Sequence, residues 1–265
     1  VTVLKNLPNG ISVFSLNGNE TDYLYREIFH DESYIPPGGV TLAREPVVLD
    51  VGANIGLFTI FAAQKWPGAR IFSFEPVPDV FDVLRKNAGH LPGVTLHNTA
   101  LGAEERSLTM TYYPNYTMMS GFDADPAADR ALAASFLGRV VEDVEPELQE
   151  EFLDEVREML DESLAERQLV DCAVTRLDAF TADAGLDRVD FLKIDVEGFE
   201  VRVLEGIGPE LWPKIANAAV EVADRDGALA AVTGHFERNG LRTVVRQAAE
   251  YHGSDLHTVF ARREG

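Results

Sequence analysis

The stretch VVLDVGANIGLF, Val47 to Phe58, decides how this chain is read. An apolar, β-branched run ends in an acid, crosses Gly-Ala-Asn-Ile-Gly, and enters an amphipathic segment. That is a strand feeding a helix through a tight loop whose backbone can hold a ligand. The same alternation continues downstream. Strands are predicted at 46–51, 70–75 and 94–98, with helices at 57–65 and 78–89 between them. After a break it resumes with a helix at 178–184, a strand at 189–195, a helix at 200–207, a strand at 215–222, a helix at 227–239, and strands near 241–247 and 257–262. Strands separated by helix-length segments imply an α/β, doubly wound, mostly parallel sheet with helices on both faces.

Upstream, TDYLYREIF at 21–29 reads as a short helix with Tyr25, Ile28 and Phe29 to bury, so residues 1–45 form an N-terminal cap segment. Residues 46–265 are expected to be one domain with an insertion at about 115–167. SLTMTYY (107–113) and LVDCAVTRL (169–177) alternate like strands on either side of it. Residues 123–167 carry 15 acids against four arginines, and Val144, Leu148, Phe152, Val156, Leu160 and Leu164 form an i, i+4 stripe. The expectation is a helical element with one buried face, serving as ornament or as a lid over the strand ends.

The net charge is −21. A field of that sign disfavours nucleic acid and anionic membrane surfaces as partners. No run is long and apolar enough for a membrane span, and no signal peptide opens the chain. Cys172 is the only cysteine, which fits a reduced, cytosolic setting without disulfides. The chain opens at Val1 rather than Met, which suggests a trimmed chain or a domain cut from something longer.

Three segments carry chemistry. In the first loop the glycines are Gly52 and Gly56, and Asn54 stands where a glycine-rich nucleotide loop has its middle glycine. Asn tolerates a left-handed conformation better than other side chains, so the turn still forms. Asp50 at the strand end and Asp195 on a later strand are candidates to meet a ligand's ammonium. Taken alone, the loop is also consistent with a β–α turn that holds nothing. Glu75 in FSFEP (72–76) ends the next strand 19 residues after Gly56, where an acid reaches the vicinal hydroxyls of a ribose. Pro76, with Val77, offers a shelf to an adenine, and Asn98 and Ala100 in HNTALG (97–102) lie at its edge. Glu75 indicates an adenosine ligand without choosing the cofactor. In FLKIDVEGFE (191–200), Lys193 and Asp195 share one face of an apolar strand, and Glu197 and Glu200 follow. Charges there are costly unless paired or used. A structural Lys193–Asp195 ion pair remains the alternative to a functional one.

DVGANIG, FEP, ALG, RLD (176–178) and KIDVEGFE, in that order, resemble the FkbM-type methyltransferases, from about Tyr23 to Arg262. The resemblance implies a class I, Rossmann-like methyltransferase fold with a seven-stranded sheet. It also implies S-adenosylmethionine-dependent methylation of a hydroxyl on a sugar, polyketide or peptide natural product. The acceptor would be a small molecule, free or tethered to a carrier, and the resemblance is compatible with a domain embedded in a multidomain synthase. By motif, Asp50, Gly52, Asn54, Gly56, Glu75 and Asp195 carry over as the cofactor site. Tyr34, Met119 and Ser120 of the MSG turn, and Glu221, are expected on the substrate side.

An alcohol acceptor must lose a proton, so a base is needed. His257 and His97, which flank sheet ends, are the histidine candidates, and Asp195 with Lys193 is the rival pair. Mg²⁺ is not expected, although Asp195, Glu221 and Asp224 form an oxygen set of the type it prefers. A nicotinamide-dependent oxidoreductase and a non-catalytic S-adenosylmethionine-binding module of a larger synthase are the competing readings.

Overall fold

The computed structural model describes residues 2–122, 158, 162–248 and 254–264. Its centre is β3 (Val47–Val51), a five-residue run buried along its whole length. β4 (Arg70–Phe74) and β5 (Val94–His97) lie parallel to it on one side. On the other side come β9 (Phe191–Ile194) and β10 (Asn217–Ala223), also parallel. β12 (Leu256–Arg263) then runs antiparallel between β10 and β11 (Leu241–Arg246). The order is β11-β12-β10-β9-β3-β4-β5, seven strands with one reversed. This is the expected mostly parallel seven-stranded sheet.

The chain leaves β3 towards β4 and later returns to β9 on the opposite flank. The order therefore switches between β3 and β9, and a crevice opens at the carboxyl ends of both strands. Period-two alternation feeds two cores. Val48 and Phe191 pack on one face, with Ile71, Phe58 and Leu84. Val47, Leu49, Val51, Leu192 and Ile194 pack on the other, with Phe74, Val203 and Phe236. α2 (Leu57–Lys65) and α3 (Pro78–Ala88) cover the first face, and Pro78 stands at the helix start, where its missing N–H costs nothing. α5 (Glu200–Glu205) and α6 (Ala228–Arg238) serve the second, and α4 (Leu177–Asp183) precedes β9.

The two alternating segments that interrupted the βα pattern pair with each other. β7 (Arg106–Tyr112) runs antiparallel to β8 (Gln168–Thr175), and β6 (Ala100–Leu101) flanks β8 in a separate three-stranded sheet. The predicted insertion lies largely outside the described residues, and so does its apolar stripe. Leu164, at its end, is buried against Tyr113 and Met119.

The N-terminal segment holds more than the predicted helix. A hairpin, β1 (Val3–Asn6) and β2 (Ser12–Ser15), turns through Leu7-Pro8-Asn9-Gly10 with Gly10 at φ +85°. Asn-Gly is a strong short-range hairpin signal, and it was legible there. α1 (Gly18–Tyr25) is capped by Asn17, whose side chain accepts from the Asn19 and Glu20 amides, worth about 1 kcal/mol. The helix then widens into a π-helical turn over Arg26–His30. Among the described residues no helix is long and apolar enough to cross a membrane.

Candidate active site

Lys193 is the charge that organises the crevice. Its ammonium donates to the Gly52 carbonyl at 2.6 Å, and it lies 3.4 Å from Asp50 and 3.3 Å from Asp195. Phe58 and Tyr34 flank it within cation–π range. Burial works against its charge, but Asp195 and Asp50 outweigh burial and hold the ammonium above the usual lysine value. Asp50 also accepts from Thr59 Oγ1 at 2.7 Å. Tyr34 donates to Asp195 Oδ2 at 2.9 Å, and burial followed by the Asp195 charge raises its phenol well above the ordinary range. It therefore stays a donor.

The first loop is fixed by close backbone approach. Gly52 has φ +78°, and a Cβ there would fall 1.7 Å from the Asp195 carbonyl oxygen, so only glycine fits. Asn54 is left-handed at φ +47°. Its amide donates to Glu75 Oε2 at 3.0 Å, and the Val77 amide donates to Glu75 Oε1 at 2.9 Å. Each oxygen keeps a lone pair for a further donor. Burial, only partly offset by these amides, pushes the Glu75 carboxyl up to about 7.

After β9 the segment 195–200 lines the other wall. Glu197 is left-handed at φ +51°, strain of the kind that marks functional sites. Phe199 packs on Phe122 with ring centroids 4.7 Å apart. Glu200 turns back to accept from the Gly198 amide at 2.9 Å, and burial raises its carboxyl to about 7. Glu75 and Glu200 thus hold protons in the folded chain at pH values where the unfolded chain has lost them. Their contribution to stability is complete below about 4.5 and is lost as pH rises through 7, on the order of 3 kcal/mol each. The thermal midpoint of the ligand-free protein should therefore fall between pH 5 and 8, and calorimetry on Glu200→Gln should show a shallower fall.

The N-terminal segment and the turn after β7 close the front. Glu20, buried, accepts from the amides of Thr117 (3.1 Å) and Met118 (2.7 Å) and from the Thr117 hydroxyl. Asn54 Nδ2 donates to Thr117 Oγ1 at 3.0 Å, so one chain of hydrogen bonds runs from α1 to the first loop. Leu24 and Glu27 line the crevice from this side, and Thr117, Met118 and Ser120 come from the turn. Asn54, Glu75, Pro76, Ala100 and Val77 line its other end. Among the described residues five carboxylates face the pocket, Glu27, Glu75, Asp195, Glu197 and Glu221, and no Lys, Arg or His does.

Comparison with known proteins places this arrangement. The profile of the methyltransferase FkbM domain matches residues 50–235. The chain belongs to the FkbM methyltransferase family. It is 39% identical over 261 residues to the 31-O-demethyl-FK506 methyltransferase FkbM of Streptomyces tacrolimicus, covering 97% of this chain and 95% of that protein. It is 38% identical over 268 residues to the AMB antimetabolite synthetase AmbE of Pseudomonas aeruginosa, covering 98% of this chain but only 12% of the synthetase. Among solved structures, an FkbM methyltransferase from Methylobacillus flagellatus KT shares the fold, with a TM-score of 0.51 at 15% identity over 91% of this chain and 52% of that one.

Within this FkbM-family crevice the motif residues divide into those that face the cavity and those that support it. Gly52, Asn54, Glu75, Pro76, Ala100, Ser120, Asp195 and Glu221 are brought together around the pocket. Asp50 is not at its surface; fully buried, it is occupied by Lys193 and Thr59. Gly56 lies behind the loop, where a Cβ would press 2.7 Å from Leu84. Asn98 also sits behind, donating to the Glu75 and Pro76 carbonyls. Tyr34 acts through Asp195, and Met118 rather than Met119 reaches the cavity, because Met119 packs on Tyr113 and Leu164.

The histidines are placed elsewhere. His97 stacks on Phe74 and meets Phe180 edge to face, and burial lowers its pKa. His257 interacts with the Asp255 carbonyl on β12. Neither lines the pocket, and the buried, doubly paired Lys193 has no free pair to act as a base. Asp224 is likewise absent from the lining, and among the described residues no three acidic, histidine or cysteine side chains converge as a metal site. Sequence reasoning missed Glu20, Glu27 and Thr117. The available signal was an acid in each turn of an otherwise core-facing helix.

Proposed function

We propose that the chain transfers a methyl group from S-adenosylmethionine to a hydroxyl of a small-molecule or carrier-tethered natural product. The observation that carries this reading is the pocket's lining: five acidic side chains and, among the described residues, no cationic one. A dinucleotide's pyrophosphate would be repelled there. S-adenosylmethionine, with a sulfonium and an ammonium against one carboxylate, brings net positive charge. The donor residues fit this ligand. Glu75 offers an acceptor to each ribose hydroxyl, Pro76 and Val77 flank the adenine, and Ala100 leaves room beside it. Asn98 fixes the Glu75–Pro76 backbone. Gly52 and Asn54 expose backbone to the amino-acid end, and Asp195, with Glu197, meets its positive charge.

When bound, S-adenosylmethionine supplies an activated methyl group for in-line displacement by a nucleophile. The chain's own contribution is alignment and the exclusion of water, and these can account for much of the acceleration. The names of the relatives support the hydroxyl acceptor, since one acts on 31-O-demethyl-FK506. The stretch shared with AmbE supports a place within a larger synthase for some members. The single cysteine supports a reducing, cytosolic setting.

Titration calorimetry with S-adenosylmethionine and with NAD⁺ tests the cofactor. S-adenosylmethionine should bind and NAD⁺ should not, and the reverse order would overturn the reading. Glu75→Ala should weaken S-adenosylmethionine more than tenfold, since a charge-assisted contact contributes roughly 1.5–3 kcal/mol. Unchanged affinity would remove Glu75 from the site. Turnover in chelator, with and without added Mg²⁺, tests the metal-assisted alternative.

A further inference from the structure

Glu27 and Glu221 come from opposite ends of the sequence and line the same pocket. Glu27 is 4% exposed and reaches it from the π-helical turn, a local widening that recurs at functional sites. Glu221 comes from β10, next to β9 in the sheet. Its Oε2 is shut off from solvent and has no hydrogen-bond partner among the described residues. A buried acceptor left open in a pocket is costly unless a ligand brings the donor.

We propose that Glu221 takes the proton of the acceptor hydroxyl, with Glu27 as the second carboxyl that shares it. This rests on the O-methylation reading above. In the step, the acceptor oxygen bonds to the methyl carbon as the carbon–sulfur bond breaks, its electron pair staying on sulfur. The hydroxyl proton passes to the Glu221 carboxylate, which becomes a carboxylic acid and later returns it to solvent.

The neighbours set the division of labour. Lys193 and Tyr34 hold Asp195 as an anion. Glu221 has no such support. Burial first, then the charges of Glu27, Asp195 and Glu197, push its carboxyl well above the ordinary range, and Lys193 opposes them only in part. From β12 its register partner is Thr258, which brings no charge. Tyr34, raised by burial and the same acids, is no rival base near neutral pH. A cation entering this pocket favours the ionised form. Ligand binding should therefore expel the shared proton and leave a carboxylate ready for the acceptor.

Calorimetric titration with S-adenosylmethionine, in two buffers of different protonation enthalpy at pH 7, reads that proton directly. Wild type should release more protons per ligand than Glu221→Gln, by close to one, the remainder coming from Glu75 in both, with affinity changed less than about fivefold. Glu27→Gln, which removes the largest neighbouring charge, should move the midpoint of release to lower pH. With 31-O-demethyl-FK506 as acceptor probe, Glu221→Gln should lower kcat at least about a hundredfold, the usual scale of a lost general base. Binding without proton release in wild type, or release undiminished in Glu221→Gln, would overturn the proposal. No binding at all would overturn the cofactor reading instead, so the two failures are distinguishable.

Discussion

Lys193→Met should destabilise the folded chain by about 3–5 kcal/mol, the cost of leaving a buried charge without its partner. The ammonium lies against Asp50, Asp195 and the Gly52 carbonyl, and its removal takes a partner from each, while Asp195 keeps the Tyr34 hydroxyl. Asp50 suffers most, because it is fully buried and its Oδ1 has no hydrogen-bond partner beyond this ion pair. Denaturant melts should show the loss as a lower midpoint with an unchanged slope. Adding Asp50→Asn to the Lys193→Met background should recover part of it, since a neutral amide costs less to bury than a carboxylate. A loss below about 1 kcal/mol would show that water enters and screens the site.

Gly52→Ala should act at the same point through sterics. The added methyl would sit 1.7 Å from the Asp195 carbonyl oxygen, which is backbone and cannot rotate away. The positive φ adds roughly 1–2 kcal/mol of strain, and overpacking adds about 1–3 kcal/mol. The expected total is about 2–5 kcal/mol, with loss of ligand affinity because β3 and β9 must separate. Gly10→Ala also carries a positive φ, but nothing lies within 4 Å of the added methyl. It should cost only the strain, and the difference between the two variants isolates the clash.

The sheet was legible because period-two and period-3.6 patterns alternate cleanly from Val47 to His97 and again from Phe191 onward. Asn54, Glu75 and Asp195 were legible because each follows the carboxyl end of a strand on the side where the order switches. Asp50 belongs to the same motif, yet tertiary pairing with Lys193 draws it out of the cavity. Its motif spacing is the same whether it faces ligand or a buried cation, so the sequence could not separate the two. His97 and His257 attracted attention by residue type and by their places at sheet ends. The aromatic stack around His97 and the backbone contact of His257 exist only once distant strands are assembled. Glu27 was hidden for a related reason, since its place in the pocket depends on a π-helical turn that no propensity signals.

The hydrogen-bonded chain from Glu20 through Thr117 to Asn54 also bears on how such a domain is exchanged between larger proteins. The chemistry-bearing motifs begin near Val47, and the family profile begins at residue 50. Yet α1 braces the first loop, Leu24 and Glu27 form part of the cavity wall, and Asn87 pins β2 through Phe14. A recombination junction placed at the motif border would transplant a sheet with one wall of its reaction vessel missing. A graft that keeps the cavity whole therefore has to carry the hairpin and α1 along with the signature motifs.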